Sequence, residues 1–195
     1  NATAATDQGQ ATAYGLALQG HAITNTGSIL ANATAAEDRA TAYGVRLFSF
    51  DANGTFDNTG SITARAGGGD GWAYGLLSTN AKTVRNPGNM TALGQGVAVA
   101  LFSDGAAATQ NTGKLVAEAQ TGQASGIAAS SGTVTNNGTI RAESHGAGRV
   151  AYGIKGQGAS TIHNHNIIKA SAGGTNAMAC AVSSSTAHTV SNTGS

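Results

Sequence analysis

The chain is poor in most of what catalytic and metal sites are built from. One of its 195 residues is cysteine, Cys180, so neither an intrachain disulfide nor a cysteine metal cluster is possible. Charged residues make up 10% and the formal net charge is +1, which gives no electrostatic case for nucleic acid or an anionic membrane as partner. No apolar run approaches the roughly 18–20 residues that span a bilayer, so direct membrane insertion is not expected. A basic-then-apolar leader is also missing, and the chain is expected to begin after processing or inside a larger protein. Proline occurs once, whereas glycine, with 29 copies, is spread throughout and no apolar stripe of helical period appears, which excludes helix-rich folds.

What is present is a repeat. A corner asparagine recurs at Asn25, Asn58, Asn86, Asn111, Asn136, Asn164 and Asn192, at intervals of 25 to 33 residues. Two residues after each stands Gly27, Gly60, Gly88, Gly113, Gly138 or Gly194, with Asn166 as the exception. Glycine and asparagine are the residues that most readily accept positive φ, so this position reads as a left-handed bend. Beyond the corner an aliphatic residue and an alanine alternate, as in Ile62/Ala64, Leu115/Ala117 and Ile140/Ala142, the mark of a strand with one buried face. A second segment precedes each corner, "AYGL" at 13, "AYGV" at 42, "ASGI" at 124 and "AYGI" at 151 among its copies. A third leads into the corner through Ile23, Phe56, Val84, Val134, Ile162 and Val190, with Thr109 as the weak copy.

Three short strands per unit fit few architectures. A propeller blade wants roughly 40 residues and four strands. Hairpins on the Asn-Gly corners would put Val134 and Ile140 on opposite sides, and Pro87 cannot take the positive φ that a type I′ turn requires. A parallel β-helix meets neither objection. The fold expected is all-β, a single-stranded parallel β-helix (β-solenoid) of about six to seven coils of 25–33 residues spanning 1–195 as one segment. Length variation then falls in turns, and the longest insert, residues 46–57, is expected to protrude from the rod.

Inside such a coil the corner asparagines are expected to form a structural ladder of amides. Seven copies of a neutral amide supply no acid, base or charge. The match of Asn137-Gly138-Thr139 to a glycosylation acceptor follows from the repeat itself. The aromatic row Tyr14, Tyr43, Tyr74 and Tyr152, with Trp72 nearby, is the candidate ligand-binding surface if it faces outward. Ala and the aliphatic residue of "AYGI" stand three apart, so a bend at Gly is expected for both to face inward.

No catalytic residue, metal site or cofactor is expected. Glu118 and Glu143 fall at equivalent positions on consecutive coils, and Arg141 and Lys169 likewise, but the other acids are scattered, which reads as a solvated face. "HNH" at 163 to 165 has the look of a metal motif, yet His21, His145 and His188 offer it no evident third ligand. Cys180 sits in the tyrosine slot without an activating base.

Units of the form A-x-G-I … T-V-x-N-x-G-x-I-x-A, as in "ASGIAASSGTVTNNGTIRA" at 124 to 142, resemble the passenger domains of autotransporters, surface proteins of Gram-negative bacteria secreted by the type V route. The resemblance covers nearly the whole chain at the level of the repeat. It implies a right-handed β-helix, export across both membranes, display at the cell surface or release, and a stalk or adhesin role. Partners would then be host or bacterial surface proteins or glycans. The signal peptide and C-terminal barrel of that family are not in the sequence. "NATAA" at the start matches "NATAA" at 32 to 36, so both ends are expected to cut through a unit of a longer array whose open edges invite end-to-end association. The alternative from another class is a carbohydrate-active β-helix, lyase- or hydrolase-like, with its catalytic groups outside these residues.

Overall fold

Each unit alternates tightly enough to make three short strands, and no single unit buries them. Its core comprises three large apolar side chains and a few alanines. Each large residue contributes about 1.5–3 kcal/mol on burial, against roughly 1–2 kcal/mol per residue to order the backbone. Stability therefore has to come from stacking one unit on the next.

The computed structural model describes residues 1–48, 53–158, 160–185 and 189–195, and shows that stack. Among the described residues there is no helix, and hence none long and apolar enough to cross a membrane. Three seven-stranded sheets run the length of the molecule, and every pairing is parallel. Each coil gives one strand to each sheet: Gln123–Ala129, Gly132–Asn136 and Thr139–Ser144 are one set. The strands leaving the corners, from Ala2–Thr6 to Ile168–Ala172, form what is here termed the exit sheet. Those from Ala11–Leu18 to Met178–Ser184 form the glycine sheet, and those from Ala22–Asn25 to Val190–Asn192 the approach sheet. The chain is a β-solenoid of about six turns, a rod on the order of 30 Å long at the usual strand spacing.

The columns read from the sequence are the columns of the core. Met90, Leu115 and Ile140 are register partners in the exit sheet, as are Leu76, Leu101 and Ile127 in the glycine sheet, and all are fully buried. Thr109 stands in the apolar column of the approach sheet between Val84 and Val134, and its buried hydroxyl pairs with Ser103 Oγ at 3.0 Å. The weak copy of the column is thus matched by a polar partner on the facing sheet.

The strand glycine marks a change of phase. Ala42 and Val45 are both buried although three residues apart, and the register passes over Gly44, joining Tyr43 to Tyr74 and then Val45 to Leu76. Sterics require the small residue: a Cβ on Gly44 would stand 2.3 Å from Ile62 Cγ2, and one on Gly126 would stand 2.1 Å from Ile140 Cγ2. Only a β-branched neighbour puts a methyl there. Ala100 fills the slot in the coil whose exit strand carries Leu115, which has no branch at Cβ, whereas Gly75, opposite the equally unbranched Met90, is kept small by Ala100 O, 2.4 Å from where its Cβ would stand.

Four expectations need correction. The corner glycines are not left-handed: positive φ occurs at Gly9, Gly68, Gly69, Gly105, Gly132, Gly148, Gly158 and Gly174, and at Asn80 and Asn176, all away from the corner position. The reason for glycine there is contact between coils. A Cβ on Gly60, Gly88, Gly113 or Gly138 would lie 2.0–2.1 Å from the carbonyl oxygen of the corner glycine one coil earlier. Asn166 accordingly disturbs the rule instead of obeying it, and the strand after it starts at Ile168, one residue later than at the corners before Lys114 and Thr139.

The first "NATAA" pairs two residues out of the expected alignment, Thr3 with Asn32 and Ala4 with Ala33. This keeps the same offset of 29 residues that pairs Ala11 with Ala40, so no insertion is needed between the first two strands. Finally, residues 46–57 are not all protrusion. Arg46 and Leu47 close the strand Ala40–Leu47, Thr55 opens the strand Thr55–Asn58, and residues 49–52 of the insert lie outside the described residues.

Candidate functional site

The corner asparagines point into the rod, and four of them, Asn58, Asn86, Asn111 and Asn136, have no accessible surface. Each Nδ2 donates to the Oδ1 of the next: Asn25 to Asn58 at 2.7 Å, Asn58 to Asn86 at 2.7 Å, Asn86 to Asn111 at 2.9 Å, Asn111 to Asn136 at 2.8 Å, Asn136 to Asn164 at 2.8 Å and Asn164 to Asn192 at 2.7 Å. The remaining amide valences turn back on the corner. Asn25 Nδ2 also reaches Gly27 O at 3.2 Å while Gly27 N–H donates to Asn25 Oδ1 at 3.2 Å, and Gly138 N–H donates to Asn136 Oδ1 at 3.3 Å. From Asn58 to Asn136 every amide oxygen accepts and every nitrogen donates along the row, and none of these four side chains is accessible to a substrate. It is a spine.

The outward chemistry gathers at the glycine sheet. Tyr14, Tyr43 and Tyr74 are consecutive register partners, and their rings stack with centroids 5.1 and 5.3 Å apart and planes within 7° and 12°. Phe102 meets Tyr74 edge-on at 6.4 Å. The Arg46 guanidinium lies 5.0 Å from the Tyr43 centroid and 4.3 Å from that of Phe48, and its Nη1 donates to Tyr14 Oη at 2.8 Å. Arg39 covers Trp72 at 4.1 Å, and Trp72 Nε1–H donates to Asp70 Oδ2 at 3.2 Å. Burial pushes the Tyr43 phenol up, against the nearby Arg46, and burial with the neighbouring Tyr43 pushes Tyr74 up as well. Both phenols therefore stay neutral and keep their O–H donors through the ordinary tyrosine range.

This arrangement leaves Tyr152 apart. Its register neighbours are Ser125 and Cys180, and Lys155 Nζ caps its ring at 5.0 Å. Within the trio the rings turn their faces to one another and present edges and hydroxyls outward, Tyr14 being the most exposed at 38%. Stacked face to face, the three rings make a ridge flanked by two guanidiniums. The sequence reading missed Arg39, Arg46, Phe48 and Phe102. Arg46 lies three residues from Tyr43 yet on the same face, because the strand changes phase at Gly44.

The other candidates fall as follows. His163 and His165 stack at 6.1 Å, and His165 Nδ1 meets Thr193 Oγ1 at 2.9 Å; His188 lies outside the described residues. Cys180 Sγ–H is directed at Val182 O at 3.0 Å. Glu118 and Glu143 are register partners, with Arg141 forked onto Glu143 by Nε at 2.6 Å and Nη2 at 2.5 Å, which holds the guanidinium pKa above its usual value. Beside them a shallow groove of about 270 Å³ runs along the exit sheet between Arg65, Leu93, Gln95, Glu118 and Gln120. In comparisons with known proteins, no family model, no curated protein and no solved structure matches the chain.

Proposed function

We propose that the chain is a non-enzymatic, passenger-type β-solenoid segment of a bacterial surface or secreted protein, acting as a stalk that carries an adhesive face. The unbroken parallel register of all three sheets supports this reading most directly. A self-templating rod with a saturated inner ladder spends its repeated residues on length and stiffness and leaves variation to outward slots. The ridge of Tyr14, Tyr43 and Tyr74 with Arg39 and Arg46 is the part of the described surface richest in the aromatic and guanidinium groups that dominate protein recognition.

The test is protease treatment of intact cells expressing the full-length gene, followed by immunodetection of this segment. Digestion at the surface or recovery from the medium supports the reading, and a segment that stays protected until cells are lysed overturns it. Incubating the purified chain with a panel of polysaccharides addresses the enzyme alternative, since release of reducing ends or unsaturated products would replace the stalk with a carbohydrate-active β-helix.

A further inference from the structure

Three potential metal ligands meet on the exit sheet, and the sequence gives their positions no shared motif. Glu118 and Glu143 face each other across adjacent strands, and His145 stands two residues beyond Glu143 on the same outward face. One donor atom from each lies within 4.8 Å of the other two, and among the described residues no other group of three or more His, Cys, Asp or Glu comes together in this way. We propose that Glu118, Glu143 and His145 form a binding site for a divalent transition cation, zinc by the chemistry of its donors.

The geometry is already part-way to a coordination shell. His145 Nε2 stands 3.3 Å from Glu118 Oε1. Two ligands about 2.0–2.1 Å from a tetrahedral zinc are themselves roughly 3.3–3.4 Å apart, so this pair matches one edge of the tetrahedron. In the imidazole tautomer with its proton on Nδ1, both facing atoms carry lone pairs, an opposition that a cation between them turns into attraction. Arg141 engages both oxygens of Glu143, but a carboxylate has about four lone-pair sites, and the guanidinium uses one on each oxygen. Arg141 then acts as an outer-sphere partner that orients the ligand, as Gln120 Nε2 does for Glu118 Oε1 at 3.2 Å.

The backbone holds the frame. Register fixes the two glutamates one strand spacing apart, and the three donor atoms, all within 4.8 Å of one another, close on an ion by side-chain rotation. One nitrogen and two carboxylates suit zinc, copper or nickel better than magnesium or calcium, which take all-oxygen shells. Glu118 and Gln120 also line the shallow groove, which places the site at its edge.

Titrating zinc chloride into the purified chain by calorimetry tests the site. One zinc per chain is expected, with binding weakened at least about tenfold by either His145→Ala or Glu118→Gln and retained in a His163→Ala/His165→Ala variant. An absence of binding up to about 1 mM zinc, or undiminished binding in His145→Ala, overturns the proposal. Should a variant fail to fold, zinc-edge X-ray absorption on the unaltered chain decides: one imidazole with carboxylate oxygens supports the site, and a shell with two imidazoles or none overturns it.

Discussion

Two ladders climb this rod, and they obey different rules. The inner one, of asparagine amides, is the same at all seven corners and passes no gap. The outer one, of tyrosine rings, occupies three coils and then gives way to Val99 and Ser125. Both are produced by the same parallel register, so register alone does not explain the difference. Burial does. A missing amide would strand a donor on one neighbour and an acceptor on the other where water cannot replace them, whereas a missing ring only exposes more of the next one. Inside, the repeat is compulsory; outside, it is free to vary, and that is where individuality resides.

Breaking the inner ladder should cost most. Asn111→Leu leaves Asn86 Nδ2 without its acceptor and takes one donor from Asn136 Oδ1, which keeps Gly138 N–H; at about 1–3 kcal/mol for the stranded donor and about 0.5–1.5 kcal/mol for the other lost bond, the loss should reach about 1.5–4.5 kcal/mol in denaturant unfolding. A loss under about 0.5 kcal/mol, the level of an ordinary surface substitution, would show that the ladder carries no more than the outer stack.

The corner glycines come next. Gly113→Ala places a Cβ 2.0 Å from Gly88 O and should destabilise by about 1–3 kcal/mol, whereas Gly27→Ala meets nothing within 4 Å and should be nearly silent. Equal effects at the two positions would return the explanation to backbone dihedrals.

Leu115→Ile restores the branched methyl opposite Ala100 and should cost about 1–2 kcal/mol from overpacking. Ala100→Gly in the same chain should recover most of it, and the pair is read as a double-mutant cycle. Additive losses would mean that the two side chains do not oppose each other.

The outer ladder should respond least. Tyr14→Ala removes one stacked pair and should cost about 0.5–1.5 kcal/mol. Because the Tyr43 and Tyr74 phenols are held above their usual value, their contribution is complete below the ordinary tyrosine pKa of about 10 and is lost as the pH rises through the folded value. Unfolding midpoints measured on either side of that pH should show the decline, and Tyr74→Phe should reduce it.

Much of this was readable from the chain because each column is written six or seven times. Ile23, Phe56, Val84 and Val134 announce one apolar column, and Thr109 stands out within it because its neighbours are known. The corner glycine shows what one sequence conceals. A residue chosen for positive φ and a residue chosen because a carbonyl passes 2 Å from its missing Cβ look alike until coils are stacked. The candidate surface was legible only along strands of regular alternation. Tyr14, Tyr43 and Tyr74 align by simple spacing, but Arg46 and Phe102 join them through the phase change at Gly44 and at its counterpart Ala100, which a period-2 reading assigns to the wrong face. Glu118 and Glu143 were visible as a pair; His145 was not, because its link to Glu118 crosses both a strand and a register step.

The asparagine spine also has a direction. Every amide donates toward the C-terminal neighbour, so six hydrogen bonds align head to tail and polarise one another in the same sense. The two ends of such a wire are chemically unlike, one presenting a carboxamide oxygen at Asn25 and the other an amide N–H at Asn192. A further coil of the same kind continues the wire in one orientation only. The amide row thus gives the rod a polarity along its axis, one that a coil turned end for end would break.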